Sequence, residues 1–315
     1  MMHINDIDSY AKQGNLEMII RCNNQDTKCS VWAMDFAATY GYLDVVKWLH
    51  ENRTEGCTQY AMNMACQNGH FEVVKWLHKN RTEGCEKYAM DFAAQNGYMN
   101  IVKFLHENRT EGCTHLAMDR SAEHGELEMV KWLHYNRTEG CTQYAMDMAS
   151  MYGNLEIVKF LHENRTEGCT TEAMDLAARF GHLEVVKWLH KNRNEGCTTN
   201  AMDLAACNGF FNIVKFLHQN RNEGCTIYGI NTTAILCDNT HILLFLYKNY
   251  KHLITRNMLY ERTYKRLLPF IIDDFVKLFR KIEKQNIVRN FIAKTIVYHP
   301  MSAYMKRIIS TFDIE

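Results

Sequence analysis

The chain has 315 residues, with 36 basic and 36 acidic side chains and so no formal net charge at pH 7; 47% of it is hydrophobic and 23% charged. No run of 18 apolar residues occurs, which excludes a membrane-spanning helix. The opening Met1-Met-His-Ile-Asn-Asp-Ile-Asp8 lacks the basic and apolar regions of a secretory signal.

A fixed interval of 28 residues organises the chain. Cysteine recurs at 29, 57, 85, 113, 141, 169, 197 and 225, histidine from His50 to His218, and glycine from Gly41 to Gly209. Such a period marks a solenoid, in which each unit buries its apolar face only against its neighbours. Residues 1–29 hold a degenerate copy, Ala11-Lys-Gln-Gly14-Asn-Leu-Glu, one residue out of phase, as a capping unit would be. Seven strict repeats fill 30–225. A degenerate final copy follows over 226–247, with Cys237 at the turn-glycine position. From 248 to 315 the period is lost, and 14 Lys or Arg face 6 Asp or Glu, leaving 22 basic against 30 acidic residues before it. Phe270–Ile282, Ile287–Val297 and Ser302–Ile309 read as amphipathic helices, so this segment is expected to be a basic, helical cap or docking domain.

Within one repeat, Thr58 is a natural N-cap and Gln59–Gln67 reads as a short helix with Ala61, Met62, Ala65 and Cys66 inside. Gly69 ends it. A second helix runs from about Phe71 to His78, with Val73, Val74, Trp76 and Leu77 on its apolar side. The polar Lys79-Asn-Arg-Thr-Glu-Gly84 reads as an exposed surface loop. Neither helix is long enough to hold in isolation, so stacking has to supply the stability.

Ala61-Met-Asn-Met-Ala-Cys-Gln-Asn-Gly-His-Phe-Glu-Val-Val-Lys-Trp-Leu77 resembles the core of the ankyrin repeat, and Phe180-Gly-His-Leu-Glu-Val-Val-Lys-Trp-Leu189 is closer still. The resemblance covers 30–225 and implies an all-α, ankyrin-like helix-turn-helix repeat solenoid, which the expected small helical C-terminal domain follows. Two departures stand out. The ankyrin Thr-Pro-Leu-His start is here Tyr60-Ala-Met-Asn63, and the unit is shorter than the usual ~33 residues, so binding through projecting hairpin tips does not carry over. The shortened Asn-Arg-Thr-Glu-Gly-Cys variant resembles ankyrin proteins of giant DNA viruses that infect amoebae.

Twelve cysteines and fifteen histidines raise the question of metal. Equivalent residues of stacked helices lie roughly 8–10 Å apart, too far for a disulfide or a shared zinc ion, and no Cys-x-x-Cys occurs. No metal or cofactor is expected. The cysteine reads as a small buried residue, and the histidine as a partner for the last carbonyls of the second helix. Asn-Arg-Thr triplets at Asn52, Asn80, Asn108, Asn136 and Asn164 match the glycosylation sequon, but Asn192 and Asn220 break it, and free thiols suggest a reducing compartment. Nucleophile elbows and phosphate-binding glycine loops are absent, so the chain is not expected to be an enzyme.

The informative positions are those that differ between copies. They lie four apart on the first helix: Trp32-Phe36-Tyr40, Tyr60-Met64-Asn68, Tyr88-Phe92-Asn96, Leu116-Arg120-His124, Tyr144-Met148-Tyr152, Glu172-Leu176-Phe180 and Asn200-Leu204-Asn208. Stacking lines them into a variable, aromatic-rich band on one face. Trp32, Tyr40, Tyr60, Asn68, Tyr88, Asn96, Arg120, His124, Tyr144, Tyr152 and Phe180 are the candidate partner-binding residues. Arg120, alone among apolar equivalents, can pair with Glu123 or anchor a ligand. The expectation is a monomeric, non-catalytic scaffold in the cytoplasm (of the host, if viral) that holds another protein. Two alternatives stay open. Leu267–Val276 resembles the start of an F-box, implying a ubiquitin-ligase adaptor, and the basic tail permits nucleic-acid binding.

Overall fold

The computed structural model describes residues 6–25, 27–236 and 240–253. These form eighteen α-helices and one 3-10 turn, and contain no strand. The chain divides into two units, residues 1–225 and 226–315. In the first, α1 (Asp6–Lys12) and α2 (Leu16–Asn23) precede seven helix pairs: α3 (Val31–Thr39) with α4 (Leu43–Asn52), α5 (Gln59–Gln67) with α6 (Phe71–Asn80), α7 (Lys87–Gln95) with α8 (Met99–Asn108), α9 (Leu116–Glu123) with α10 (Leu127–Asn136), α11 (Gln143–Met151) with α12 (Leu155–Asn164), α13 (Glu172–Arg179) with α14 (Leu183–Asn192), and α15 (Thr199–Cys207) with α16 (Phe211–Asn220). The described part of the second unit is α17 (Ile227–Leu236), which packs against α18 (Thr240–Asn249), and a 3-10 turn at Lys251–Leu253. Cys237, the three expected tail helices and the F-box-like stretch lie outside the described residues.

From α3 to α13, each first helix packs along its neighbours before and after it and against its own second helix, whereas second helices touch one another more sparsely. The sequence explains the difference. Ala61, Ala65 and Cys66 are small and fully buried, so the first helices approach closely, with Met62 filling the gap between them. Val73, Val74 and Leu77 cover them from the second helix. Trp76, expected in the core, is half-buried and stands edge-on to His50 of the preceding repeat at 5.1 Å.

The turn joining the two helices is a Schellman closure. Gly69 donates to the Cys66 carbonyl at 3.3 Å and His70 to that of Ala65 at 2.9 Å, which leaves Gly69 at φ 78°. A second constraint reinforces glycine there: a Cβ on Gly69 would meet the Tyr98 ring of the next repeat at 2.7 Å.

Two sequence expectations change at the end of the second helix. The carbonyl of Trp76 is bonded by the Asn80 amide at 2.8 Å rather than by His78, and every strict repeat repeats that bond. The histidine ring instead packs edge-on against the aromatic of the following repeat. Where that aromatic is Trp76, Trp132 or Trp188, the next loop's arginine reaches the histidine Nδ1 at 3.2–3.3 Å. Where it is Phe104, Phe160 or Phe216, the Nδ1 of His78, His134 or His190 is buried without a partner. The structure shows this alternation without giving a physical reason for it.

The loop is packed, not free in solvent. Arg81 donates through Nε to Glu83 at 3.2 Å and pairs with its second oxygen through Nη2, closing a two-point clamp with about a quarter of each side chain exposed. The guanidinium lies so close to Gly56 of the preceding repeat that a Cβ there would sit 2.5 Å from it. The clamp recurs at Arg53, Arg109, Arg137, Arg165, Arg193 and Arg221.

Candidate functional site

Polar groups in this solenoid fall into two sets: those engaged inside the stack and those left for something else. The first set is built on a buried aspartate in each first helix. Asp35 accepts from the backbone N–H and the hydroxyl of Thr58, 23 residues on, at 2.8 Å each. The same hydroxyl accepts from the Tyr60 N–H at 3.1 Å, so a single Thr side chain both caps its helix and ties two repeats. Asp8–Ser30, Asp91–Thr114, Asp119–Thr142, Asp147–Thr170 and Asp175–Thr198 repeat the tie. Burial pushes the carboxyls of Asp35, Asp91, Asp119, Asp147 and Asp175 above their ordinary value, although the threonine bonds pull the other way.

One junction departs, and both of its members depart together. Asn63 stands for Asp and Glu86 for Thr. The Glu86 N–H still donates to Asn63, at 2.9 Å, but the side-chain bond is reversed, the Asn63 amide donating to the Glu86 carboxylate at 3.1 Å. Aspartate there would set two carboxylates face to face. The exchange keeps the tie and forfeits the helix cap, for Glu86 makes no side-chain cap bond.

The repeat cysteines, Cys29 through Cys225, are free thiols. Burial, and then the Glu83 carboxylate, push the Cys57 thiol to about 12 against the pull of Arg81, and burial takes Cys85 to about 11. Both stay protonated and unreactive at neutral pH. Among the described residues no three His, Cys, Asp or Glu side chains converge as metal ligands would. No described helix is long and apolar enough to cross a membrane.

The varying positions, four apart, fall on the first helices or at their C-caps. The middle positions Phe36, Met64, Phe92, Arg120, Met148, Leu176 and Leu204 are half-buried. Tyr40, Tyr60, Tyr88, Tyr152 and Phe180 are exposed large apolar side chains, Tyr60 at 40% and Tyr88 at 50%. Trp32 Nε1 and the hydroxyls of Tyr40, Tyr60, Tyr88 and Tyr152 bond no described residue. A depression of about 360 Å³ beside Tyr88 is lined by Glu86, Lys87, Glu111 and Thr114.

Other candidates are engaged internally. The Asn68 amide bonds the carbonyls of Met64 and Thr39, and that of Asn96 bonds those of Phe92 and Gln67, bracing consecutive first helices. His124 bonds the Arg120 carbonyl at 2.9 Å. Arg120 pairs with Glu123 at 2.5 Å, donates to the Tyr144 hydroxyl at 2.8 Å and stands 5.1 Å from that ring's centre; the hydroxyl in turn donates to Glu123 at 3.2 Å. The three close a network across two repeats, with Arg120 bonded through Nη1 and its side chain 40% exposed.

A second varying column escaped the sequence reading: Tyr42, His70, Tyr98, Glu126, Asn154, His182 and Phe210, each half-buried at the head of a second helix. Most rest on the turn glycine of the preceding repeat, as Tyr98 does on Gly69. Their signal was the same copy-to-copy variation, hidden because the position follows the glycine rather than lying on the first helix.

Ankyrin-repeat family models match residues 34–78 (many copies) and residues 115–203 and 145–228 (3 copies). No curated protein matches the chain at a significant level. Paired short helices on a fixed period, glycine-closed turns and these matches agree, and the chain belongs to the ankyrin repeat family.

Proposed function

We propose that this protein is a non-catalytic scaffold that holds a partner protein along the varying band of its first helices. Ankyrin repeats generally mediate protein–protein interaction, and one observation here supports that use of this particular face. At the junctions the repeating Asp–Thr and Arg–Glu side chains are bonded within the stack, while Tyr40, Tyr60, Tyr88 and Tyr152 present exposed rings whose hydroxyls bond no described residue. Rigid tyrosine and tryptophan side chains give large contact area at low entropic cost, as in antibody paratopes. The shortened loop, closed by its Arg–Glu clamp, supports the flat band rather than loop tips as the contact. We further propose that the protein acts as a monomer in the cytoplasm of an infected host, with a host protein as partner, a reading supported by the short-repeat resemblance.

Capture on the immobilised full chain tests this. A Tyr60→Ala, Tyr88→Ala, Tyr152→Ala variant is expected to lose the partner that wild type retains. A Lys75→Ala, Lys131→Ala, Lys187→Ala variant, altered on the second helices, is expected to keep it. Equal retention by both variants, or equal loss, would move the contact off the band.

A further inference from the structure

We propose that Arg120 receives an Asp or Glu side chain of the partner on the Nε–Nη2 edge of its guanidinium; this rests on the band reading above. The loop arginines show what that edge holds in this protein. Arg53, Arg81, Arg109, Arg137, Arg165, Arg193 and Arg221 each donate through Nε to one oxygen of a glutamate and pair through Nη2 with the other. In four of them Nη1 meanwhile reaches back to an earlier unit, to Asn23 from Arg53, His50 from Arg81, His106 from Arg137 and His162 from Arg193.

Arg120 has half of this arrangement. Its Nη1 is engaged, with Glu123 at 2.5 Å and with the Tyr144 hydroxyl of the next repeat at 2.8 Å. Its Nε and Nη2 bond no described residue, and neither is buried. The Tyr144 ring, 5.1 Å away, and Glu123 hold the guanidinium in place, so little side-chain freedom remains to be lost when a ligand docks.

Stacking does not call for an arginine here, since Phe36, Met64, Phe92, Met148, Leu176 and Leu204 fill the same column in the other repeats. A free Nε–Nη2 fork matches a carboxylate in charge, plane and spacing. Exposed Tyr88 and Tyr152 stand in the repeats before and after, so a segment lying along the band passes over Arg120 and presents a side chain rather than a chain end. Glu123 carries a like charge on the Nη1 side. That charge limits the gain and favours a singly charged carboxylate over a phosphate.

The test selects a displayed random library of twelve-residue peptides on the immobilised full chain, wild type and Arg120→Met in parallel. Methionine stands at the same position as Met64 and Met148, so the variant keeps the stack. Wild type is expected to enrich Asp or Glu at one fixed position, and Arg120→Met to lose that preference. A selected peptide, made with both ends blocked, should bind about tenfold more weakly once its acidic residue becomes the amide. Arg120→Lys, which keeps the charge without the fork, should lose most of the same factor. Arg120→Met and the amide peptide together should lose no more than either alone. No acidic position on wild type, the same preference on Arg120→Met, or a requirement for a free peptide end overturns the proposal. If the selected peptides lack an acidic position yet are lost from the Tyr60→Ala, Tyr88→Ala, Tyr152→Ala variant, the carboxylate assignment falls and the band reading stands.

Discussion

The junctions between repeats and the band along the first helices are both rich in groups able to make hydrogen bonds, yet they use them in opposite ways. At the junctions, Asp35 and Thr58 or Arg81 and Glu83 find partners within the stack, and the same residues return every 28 positions. On the band, the hydroxyls of Tyr60 and Tyr88 bond no described residue, and the residue changes from copy to copy. The junction groups recur because the stack requires them, whereas on the band bracing groups such as Asn68 stand beside tyrosine hydroxyls that bond no described residue.

The largest effect that sharpens this contrast is expected at the aspartate tie. Asp91→Ala removes two bonds and leaves the Thr114 N–H and hydroxyl unsatisfied in a largely buried site, at a cost of about 2–3 kcal/mol by urea denaturation. Asp91→Asn should lose less than about 1 kcal/mol, since asparagine can still accept the backbone bond as Asn63 does. Next comes the loop clamp. Arg81→Ala should cost about 1–2 kcal/mol, because Glu83 is left partly covered without its two-point partner. A loss below ~0.5 kcal/mol would return the loop to the exposed, dispensable segment its composition suggests.

Acid separates the two kinds of junction by sign. Glu139 and Glu167 are pushed up by burial, but bonds from Arg137, Arg165 and the backbone outweigh it and hold both at about 2, below the ordinary 4.5. Their contribution is complete above pH 4.5 and is lost as pH falls toward 2. The buried aspartates run the other way: raised above 3.8, they bind a proton more tightly in the folded chain, so acidification toward 3.8 favours folding. A Glu139→Gln, Glu167→Gln variant should therefore show a shallower loss of stability between pH 4.5 and 2 than wild type. Asp91→Asn should show a steeper one. Identical profiles would mean that neither group is coupled to folding.

Much of this was legible in the sequence, and the failures share a cause. The period, the caps at Thr58 and Gly69 and the first helix at Gln59–Gln67 follow from local chemistry. Hydrophilicity made the Arg81 loop look exposed, but its packing depends on Gly56, 25 residues earlier. His78 was expected to bond the helix end, yet the Asn80 amide takes the Trp76 carbonyl and the histidine ring instead meets Phe104 of the next repeat. The Arg120–Glu123 pair follows from a spacing of three, whereas the third member, Tyr144, arrives from the neighbouring unit. The aspartate tie was readable in principle, because Asn63 and Glu86 break their columns together at the separation of 23 that joins Asp35 to Thr58 and Asp91 to Thr114.

Urea denaturation of a Tyr60→Ala, Tyr88→Ala double variant beside Asp91→Ala tests the division between engaged and available groups most directly. Two exposed aromatics replaced together should shift stability by no more than about 0.5 kcal/mol, against a loss of about 2–3 kcal/mol for the single buried aspartate. Comparable losses from the two would show that the band is part of the stack's own core, and the separation of scaffold from binding face would not hold.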